Sequence, residues 1–172
     1  LLKMETALGR RFDVVVNVQG DEPFIDREQL ELIKEPFNDA EALISTLVKR
    51  FGQDEDIFNP NTPKVVVSGH GKALYFSRSP IPYIRGTETE GWSSRFPFLK
   101  HIGLYAYRRD TLLEITKIPQ GELEIAESLE QLRWLENGYD IHVRLTAAES
   151  HAVDTPEDLV RFNEMIERGI LD

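Results

Sequence analysis

Apolar residues follow two kinds of spacing along this chain, one typical of β-strands and the other of α-helices. Alternating or continuous apolar runs bounded by glycine, proline and polar residues predict strands. Such runs fall at 13–18, 43–48, both arms of a hairpin within 64–78, 100–108 and 140–146. The segment 79–98 is rich in proline and polar residues and predicts a long loop, a type of segment that is often functional.

Helical periodicity and end signals predict the remaining elements. A helix over 1–8 ends at Gly9, and another over 27–37 begins after Asp26, with Gln29 completing a capping box. Further helices are predicted over 109–116, over 123–137 before Gly138, and from Pro156 after the N-cap Thr155. Strands and helices are mixed in order, which predicts one α/β domain over 1–172 with a mostly parallel sheet flanked by helices.

Composition excludes several classes of function. The chain has 172 residues, a formal net charge of -10 and no cysteine. Disulfides, thiolate catalysis and zinc–thiolate sites are therefore excluded. The acidic balance argues against nucleic acid as the main partner, because phosphate backbones are bound by basic faces. No apolar run approaches the about 20 residues of a membrane span, so we expect no membrane partner.

Two aspartates occupy positions where open α/β sheets place their ligands. Asp21 follows the strand 13–18, and Asp154 lies just before the last predicted helix. Carboxylates at the carboxyl ends of strands can converge and hold Mg²⁺ together with substrate phosphates. The alternative is that Asp21 is an ordinary turn residue and Asp154 a helix cap, because both roles are common for aspartate.

Other polar residues allow both a functional and a structural interpretation. Arg78 follows the second hairpin strand and Arg85 lies in the long loop. At such positions a guanidinium can bind a carboxylate with two hydrogen bonds or simply face solvent. His101 and Tyr105 share a strand face, although a strand histidine is more often structural than catalytic.

The predicted helix 123–137 has two faces. An apolar stripe is expected to pack in the core, and a polar side could bind a polyhydroxylated ligand or form a solvated acidic face. The stripe consists of Ile125, Leu129, Leu132 and Leu135, and the polar side of Glu124, Glu127, Gln131 and Trp134, flanked by Glu130.

Four stretches taken together resemble the 3-deoxy-manno-octulosonate (Kdo) cytidylyltransferase family, also called CMP-Kdo synthetases. They are VNVQGDEPFI, ALYFSRSPIPYIR, HIGLYAYR with LEIAESLEQLRWLENG, and VDTPEDL. The resemblance implies a Rossmann-like fold of the nucleotide-diphospho-sugar transferase type. It also implies transfer of CMP from CTP to Kdo with Mg²⁺, in the cytoplasm and for lipopolysaccharide synthesis.

The same resemblance implies roles for individual residues. Asp21 and Asp154 correspond to the catalytic, metal-binding aspartates of the family. Seven residues fall where the family forms its sugar pocket: Gln19, Arg78, Arg85, His101, Tyr105, Glu130 and Gln131. The arginines suit the sugar carboxylate, and Glu130 with Gln131 suits its hydroxyls. The family also implies a homodimer, with the hairpin and loop at about 64–100 forming the contact.

One difference from the family affects the expected activity. Its members begin with a strand and a loop containing glycine and arginine that binds the CTP phosphates, and this sequence shows no such segment. We therefore expect the chain to represent the C-terminal two thirds of the domain and to lack transfer activity alone. Two alternatives are a cytidylyltransferase for another sugar acid, such as 8-amino Kdo or a sialic acid, and a non-catalytic sugar-binding or dimerising chain.

Overall fold

The structure, a computed structural model, describes residues 1–20, 25–148, 160, 163–165, 167 and 168. Six strands are present in these residues: β1 (Val14–Asn17), β2 (Ile44–Arg50), β3 (Lys64–Val67), β4 (Ala73–Ser77), β5 (Leu99–Arg108) and β6 (Ile141–Leu145). The helices are α1 (Leu2–Leu8), α2 (Arg27–Leu32), α3 (Trp92–Arg95), α4 (Arg109–Ile115), α5 (Glu122–Glu127) and α6 (Gln131–Glu136). Two 3₁₀ turns cover Glu35–Asn38 and Thr89–Gly91.

The described strands form one mixed sheet in the order β4-β3-β5-β2-β6, with β1 also paired to β5. Strand β5 runs antiparallel to β1, β2 and β3, and β3 runs antiparallel to β4. Only β2 and β6 pair in parallel within the described residues. The α/β class with flanking helices is confirmed, whereas the expectation of mostly parallel pairing is corrected to a mixed sheet.

The physical reason for the mixed pairing lies in the connections. Parallel neighbours need a long crossover, usually a helix. From β2 to β5 the strands follow one another through segments with no helix longer than the four residues of α3. Four strands (β1, β2, β3 and β6) do point the same way, but the opposite strand β5 lies between β2 and both β1 and β3.

Strand β5 contains a bulge of two residues and has a core on each face. Thr46 pairs with Tyr105 and Leu47 with Ile102, so Gly103 and Leu104 are extra residues on β5. An insertion of two residues preserves the alternation of side chains, whereas an insertion of one would reverse it. The predicted alternation is confirmed by two separate buried clusters. One contains Tyr105, Tyr107, Trp134 and Leu132, and the other contains Ile33, Leu47, Ile102, Leu104 and Ala106.

Most predicted helix ends are confirmed. Gly9 and Gly138 adopt left-handed conformations after α1 and α6, and Asp26 with Gln29 forms the predicted capping box. The predicted helix 27–37 is shorter, because α2 ends at Leu32 and a 3₁₀ turn containing Pro36 follows. Proline has no N–H to continue an α-helix.

The predicted single helix 123–137 is wrong. Ser128 adopts a left-handed conformation with φ 52° and separates α5 from α6. The two expected faces therefore do not continue across the break: Ile125 is 64% exposed, whereas Glu124 and Gln131 are buried. Glu124 pairs with Arg133, with 2.6 Å between Oε1 and Nη2, and this contact holds α5 against α6.

The segment predicted as a long loop is irregular as far as Glu88, but the 3₁₀ turn Thr89–Gly91 and the short helix α3 follow before β5. This segment has its own small core. Trp92, Phe98 and Ile57 are buried together, and Trp92 stacks on Phe98 with ring centroids 6.4 Å apart. The last predicted helix falls largely outside the described residues, although 160, 163–165 and 167 are helical. In the part of the chain that the structure describes, no helix is long and apolar enough to cross a membrane.

Candidate functional site

The site residues predicted on β5 lie on the aromatic face of the sheet. The His101 ring meets Phe76 edge-on at 5.2 Å and lies 5.2 Å from the Tyr105 ring. Tyr105 meets Trp134 of α6 edge-on at 5.1 Å. These contacts fix both polar side chains in a row of rings, because edge-to-face packing is the preferred geometry of aromatic pairs.

His101 is a neutral side chain with a defined hydrogen bond. Its Nε2 lies 3.0 Å from Oγ1 of Thr46, which is buried on β2. Burial lowers the pKa of His101 from 6.5 to about 3. An imidazole that is uncharged at physiological pH can exchange hydrogen bonds with a ligand but cannot form an ion pair with it.

Tyr105 has a buried hydroxyl that is not used by the fold. The residue is 6% exposed, and the hydroxyl points near Thr46 without a hydrogen bond of good geometry. Burial raises the pKa of Tyr105 well above 10, and nearby Tyr107 and Glu130 raise it further. A buried polar atom without a partner is costly, and its occurrence often marks a functional position.

Arg78 anchors the break between α5 and α6. Its Nε donates to the Glu127 carbonyl at 2.6 Å, and its terminal nitrogens donate to the Ser128 and Pro60 carbonyls at 3.1 and 2.9 Å. The Glu127 carboxylate in turn accepts a hydrogen bond of 2.9 Å from the backbone N–H of Arg78. Each terminal nitrogen of the guanidinium keeps one further N–H for another acceptor.

A buried lysine supports this anchor. Lys64 is fully buried, and its Nζ donates to the carbonyls of Asn59 and Arg78, both at 2.7 Å. Burial lowers the pKa of Lys64. Lys64 and Arg78 together fix the loop before β3, the end of β4 and the helix break.

Glu130 and Gln131 follow the break directly. Glu130 is exposed and lines a cavity of about 580 Å³ with Asn17, Tyr107 and Trp134. Gln131 is 5% exposed and begins α6. The acidic side chain therefore lies at the cavity, on the same side of the sheet as Tyr105, while the amide is enclosed by the fold.

The remaining predicted residues make few contacts or lie outside the described part of the chain. Gln19 is exposed after β1, and its Nε2 reaches the carbonyl of Gly103 in the β5 bulge at 3.5 Å. Arg85 is exposed and makes no hydrogen bond within the described ranges. Asp21 and Asp154 both lie outside the described residues. Within the residues that are described, no group of three histidine or acidic side chains could hold a metal ion.

Sequence reasoning missed two polar residues of this region. Thr46 lies inside the apolar run of β2, and Lys64 begins β3, yet both are fully buried. The sequence contained one signal, because a polar residue inside a strand with apolar neighbours needs a hydrogen-bond partner when it is buried. Their partners, however, are up to 58 positions away for Thr46 and 14 for Lys64.

Known proteins give a consistent comparison. The model of the Cytidylyltransferase family matches residues 3–141. The 3-deoxy-manno-octulosonate cytidylyltransferase of Parabacteroides distasonis is 57% identical over 156 residues, covering 88% of this chain and 62% of the relative. That of Trichlorobacter lovleyi is 46% identical over 171 residues, covering 96% of this chain and 68% of the relative.

A solved structure agrees with these relatives. CMP:2-keto-3-deoxy-manno-octonic acid synthetase complexed with CTP superposes with a TM-score of 0.83 at 37% identity, covering 97% of this chain and 67% of that one. The predicted fold type is thereby confirmed. The chain spans roughly two thirds of the length of the relatives it matches, 62% and 68% in the two cases above. From this agreement of sequence and fold, the chain belongs to the 3-deoxy-manno-octulosonate cytidylyltransferase family.

Proposed function

We propose that the full-length protein transfers CMP from CTP to Kdo, giving CMP-Kdo and pyrophosphate. The observation that carries the proposal is the row of His101 and Tyr105 on one sheet face beside the cavity lined by Glu130. A neutral imidazole, a hydroxyl without a partner and a carboxylate are groups that recognise sugar hydroxyls. The names of the relatives support the same reaction.

In this reaction the anomeric hydroxyl of the sugar attacks the α-phosphorus of CTP. A new O–P bond forms, the bond to pyrophosphate breaks, and the hydroxyl proton is released. Positioning of the two substrates and stabilisation of charge carry most of the catalysis in such transfers. We assign the sugar pocket to Gln19, Arg78, Arg85, His101, Tyr105, Glu130 and Gln131.

The sugar carboxylate needs a cationic partner, and Arg85 is the exposed guanidinium available for it. Arg78 contributes to the same pocket mainly by anchoring the helix break, with two N–H groups left for the ligand. Glu130 and Gln131 are positioned by that break and are assigned to sugar hydroxyls.

Asp21 and Asp154 are proposed to hold Mg²⁺. Two carboxylates combined with phosphate oxygens are the donor set that this ion prefers, so the residue types fit the metal. When bound, Mg²⁺ neutralises the phosphates of CTP. In the sequence Asp21 follows β1 after Gln19 and Gly20, and Asn17, the last residue of β1, lines the same cavity as Glu130.

The first experiment is the release of pyrophosphate from CTP with Mg²⁺ by the full-length protein. Kdo is compared with a sialic acid and with 8-amino Kdo. Release with Kdo is the expected result. Release only with another sugar acid would replace Kdo as the substrate, and release with none would favour a non-catalytic sugar-binding role. The same assay on the 172-residue chain tests the expectation that this stretch alone is inactive.

Asp21→Asn and Asp154→Asn provide the matched test of the metal site. Each should lower the rate about 100-fold or more, which corresponds to roughly 3 kcal/mol of lost transition-state stabilisation. Near-normal rates in both variants at saturating Mg²⁺ would contradict the metal assignment.

We also propose that the protein acts in the cytoplasm as a homodimer, supplies Kdo for lipopolysaccharide and makes its dimer contact through residues 64–100. Strand β4 ends the described sheet, and Leu74 and Tyr83 are 61% and 74% exposed in this region. Replacing both with Leu74→Asp and Tyr83→Ser should give a monomer in sedimentation analysis. Ile125→Asp, at an equally exposed position on α5, is the control that should leave the dimer intact.

A further inference from the structure

The hydroxyl of Thr46 makes three contacts of hydrogen-bond geometry around the β5 bulge, and the Tyr105 hydroxyl points near it without such a bond. Oγ1 of Thr46 lies 2.8 Å from the Leu104 carbonyl, 3.3 Å from the Ile102 carbonyl and 3.0 Å from Nε2 of His101. Thr46 is fully buried, so water does not compete for these contacts. The arrangement lies at the bulge, where the Ile102 and Leu104 carbonyls of β5, on either side of Gly103, both face one β2 side chain.

Counting protons resolves the direction of each hydrogen bond. A threonine hydroxyl has one proton, and a backbone carbonyl can only accept. Two oxygens 2.8 Å apart need a proton between them, so the Thr46 hydroxyl donates to the Leu104 carbonyl, the closer of the two. The hydroxyl then faces His101 with a lone pair, which requires that Nε2 of His101 carry a proton and donate it.

We propose that Thr46 is a positioning residue that holds His101 as the Nε2–H tautomer, so that Nδ1 accepts a hydrogen bond from a hydroxyl of the sugar. This inference rests on the proposed function, which assigns His101 to the sugar pocket. In the described residues Nδ1 makes no hydrogen bond, while the ring is fixed by Phe76 and Tyr105.

The assignment separates the tasks of the pocket. A neutral imidazole with its proton on Nε2 offers Nδ1 only as an acceptor. It can therefore accept a hydrogen bond from a hydroxyl but cannot bind the carboxylate of a sugar acid. Recognition of the negative charge is left to the arginines, so loss of the Thr46 contact should affect sugar binding and leave CTP binding intact.

The tautomer can be measured without any assay of activity. The full-length protein is labelled with ¹⁵N at histidine, and long-range proton–nitrogen correlations identify which ring nitrogen is protonated. His101→Asn assigns the signal. We expect a protonated Nε2 and an unprotonated Nδ1 in the unmodified protein near pH 7. A protonated Nδ1 or an imidazolium would overturn the proposal.

Three variants on β2 test the role of the hydroxyl. Thr46→Val should disturb the tautomer and raise the KM for Kdo about tenfold, while kcat and the KM for CTP change by less than about twofold. Thr46→Ser retains a hydroxyl and should restore both readouts. Ser45→Ala is the control, because the neighbouring Ser45 hydroxyl is buried and has no hydrogen-bond partner among the described side chains.

The outcomes separate this proposal from the proposed function. A protein with the expected tautomer but no Kdo-dependent release of pyrophosphate would retain the Thr46–His101 relationship and lose the sugar assignment. A tautomer unchanged in Thr46→Val would reject the positioning role even in an active enzyme. If Thr46→Val fails to fold, Thr46→Ser and the unmodified protein still decide the tautomer.

Discussion

The two faces of the central sheet are built from different chemistry. One face is aliphatic and closed: Ile33, Leu47, Ile102, Leu104 and Ala106 are all at most 5% exposed. The other face is aromatic and carries polar atoms, including the Tyr105 hydroxyl without a partner and the His101 imidazole. Both faces use the same strand, β5, so its alternating side chains separate the two roles.

The difference shows where this fold tolerates energetic cost. Close packing of aliphatic side chains stabilises a domain but offers nothing to a polar ligand. A buried hydroxyl without a partner costs free energy of folding, and the aromatic face contains one beside a cavity. Substitutions on the aliphatic face should therefore lower the free energy of unfolding and leave sugar binding unchanged. Removal of the Tyr105 hydroxyl on the aromatic face should weaken sugar binding and change stability little.

The largest effect on stability is expected on the aliphatic face. Leu47→Ala should lower the free energy of unfolding by about 2–5 kcal/mol, because it leaves a cavity among fully buried neighbours. Urea denaturation measures this change, and the KM for Kdo of the folded variant should stay unchanged. Leu8→Ala, at a leucine that is 59% exposed, is the control with little effect. A raised KM for Kdo in Leu47→Ala would contradict the separate roles of the two faces.

The next largest effect on stability is expected at Arg78, which anchors the helix break on the aromatic side of the sheet. Arg78→Ala should lower the free energy of unfolding by about 1–3 kcal/mol, because three carbonyls lose a charged donor. It should also weaken sugar binding through the helix break, and Arg78→Lys should not restore either property, since an ammonium lacks the planar fork.

Two comparisons test the role of this anchor. Arg85→Ala should raise the KM for Kdo while leaving urea denaturation unchanged, because its side chain is exposed. A double variant of Arg78→Ala with Glu130→Gln should lose less than the sum of the single losses if Arg78 positions Glu130. Full additivity of the two losses would show that these residues act independently.

A pH-dependent effect should arise from His101. Its pKa is about 3 in the folded state and 6.5 when unperturbed, so between these values the unfolded chain binds a proton that the folded chain does not. Stability contributed by His101 is therefore present above pH 6.5 and decreases as the pH falls towards 3.

Urea denaturation between pH 7 and 5 measures this contribution together with that of His142, whose pKa is also lowered by burial. The difference between the unmodified protein and His101→Gln gives the part that comes from His101. The Arg109 contact holds the pKa of Glu5 at about 2 against the usual 4.5, so the stability from Glu5 is lost only below this range. His101→Gln should flatten the dependence, and His70→Gln, in an exposed loop, should retain it. An unchanged slope in His101→Gln would contradict the burial of a neutral histidine.

The smallest effect on stability is expected at Tyr105. Tyr105→Phe removes a buried hydroxyl that bonds nothing in the described residues, so the free energy of unfolding should change by less than about 1 kcal/mol or rise slightly. The KM for Kdo should nevertheless increase, measured by pyrophosphate release. A clear loss of stability without a change in KM would show that the hydroxyl serves the fold. Tyr107→Phe, on the same face of β5, is the matched comparison.

Local signals determined much of this structure in advance. The capping box at Asp26, the left-handed glycines and the hairpin depend on residues within a few positions of one another, and all were predictable. The faces of β5 followed from alternation, which the two-residue bulge leaves intact. The four motif stretches also indicate the family from the sequence alone.

Contacts between distant residues decided the rest. The sequence 123–137 has continuous helical periodicity, yet Arg78, about 50 positions earlier, binds the carbonyls that a helix break at Ser128 leaves free. In the sequence Thr46 is an ordinary strand residue. Its hydrogen-bond partners at the β5 bulge lie 56 and 58 positions away. The sequence by itself determined where the elements begin, which faces are apolar and which family the chain resembles. Only the tertiary structure decided which polar groups are buried and what they bind, because the pairing and burial of polar groups depend on strands and helices that meet only after folding.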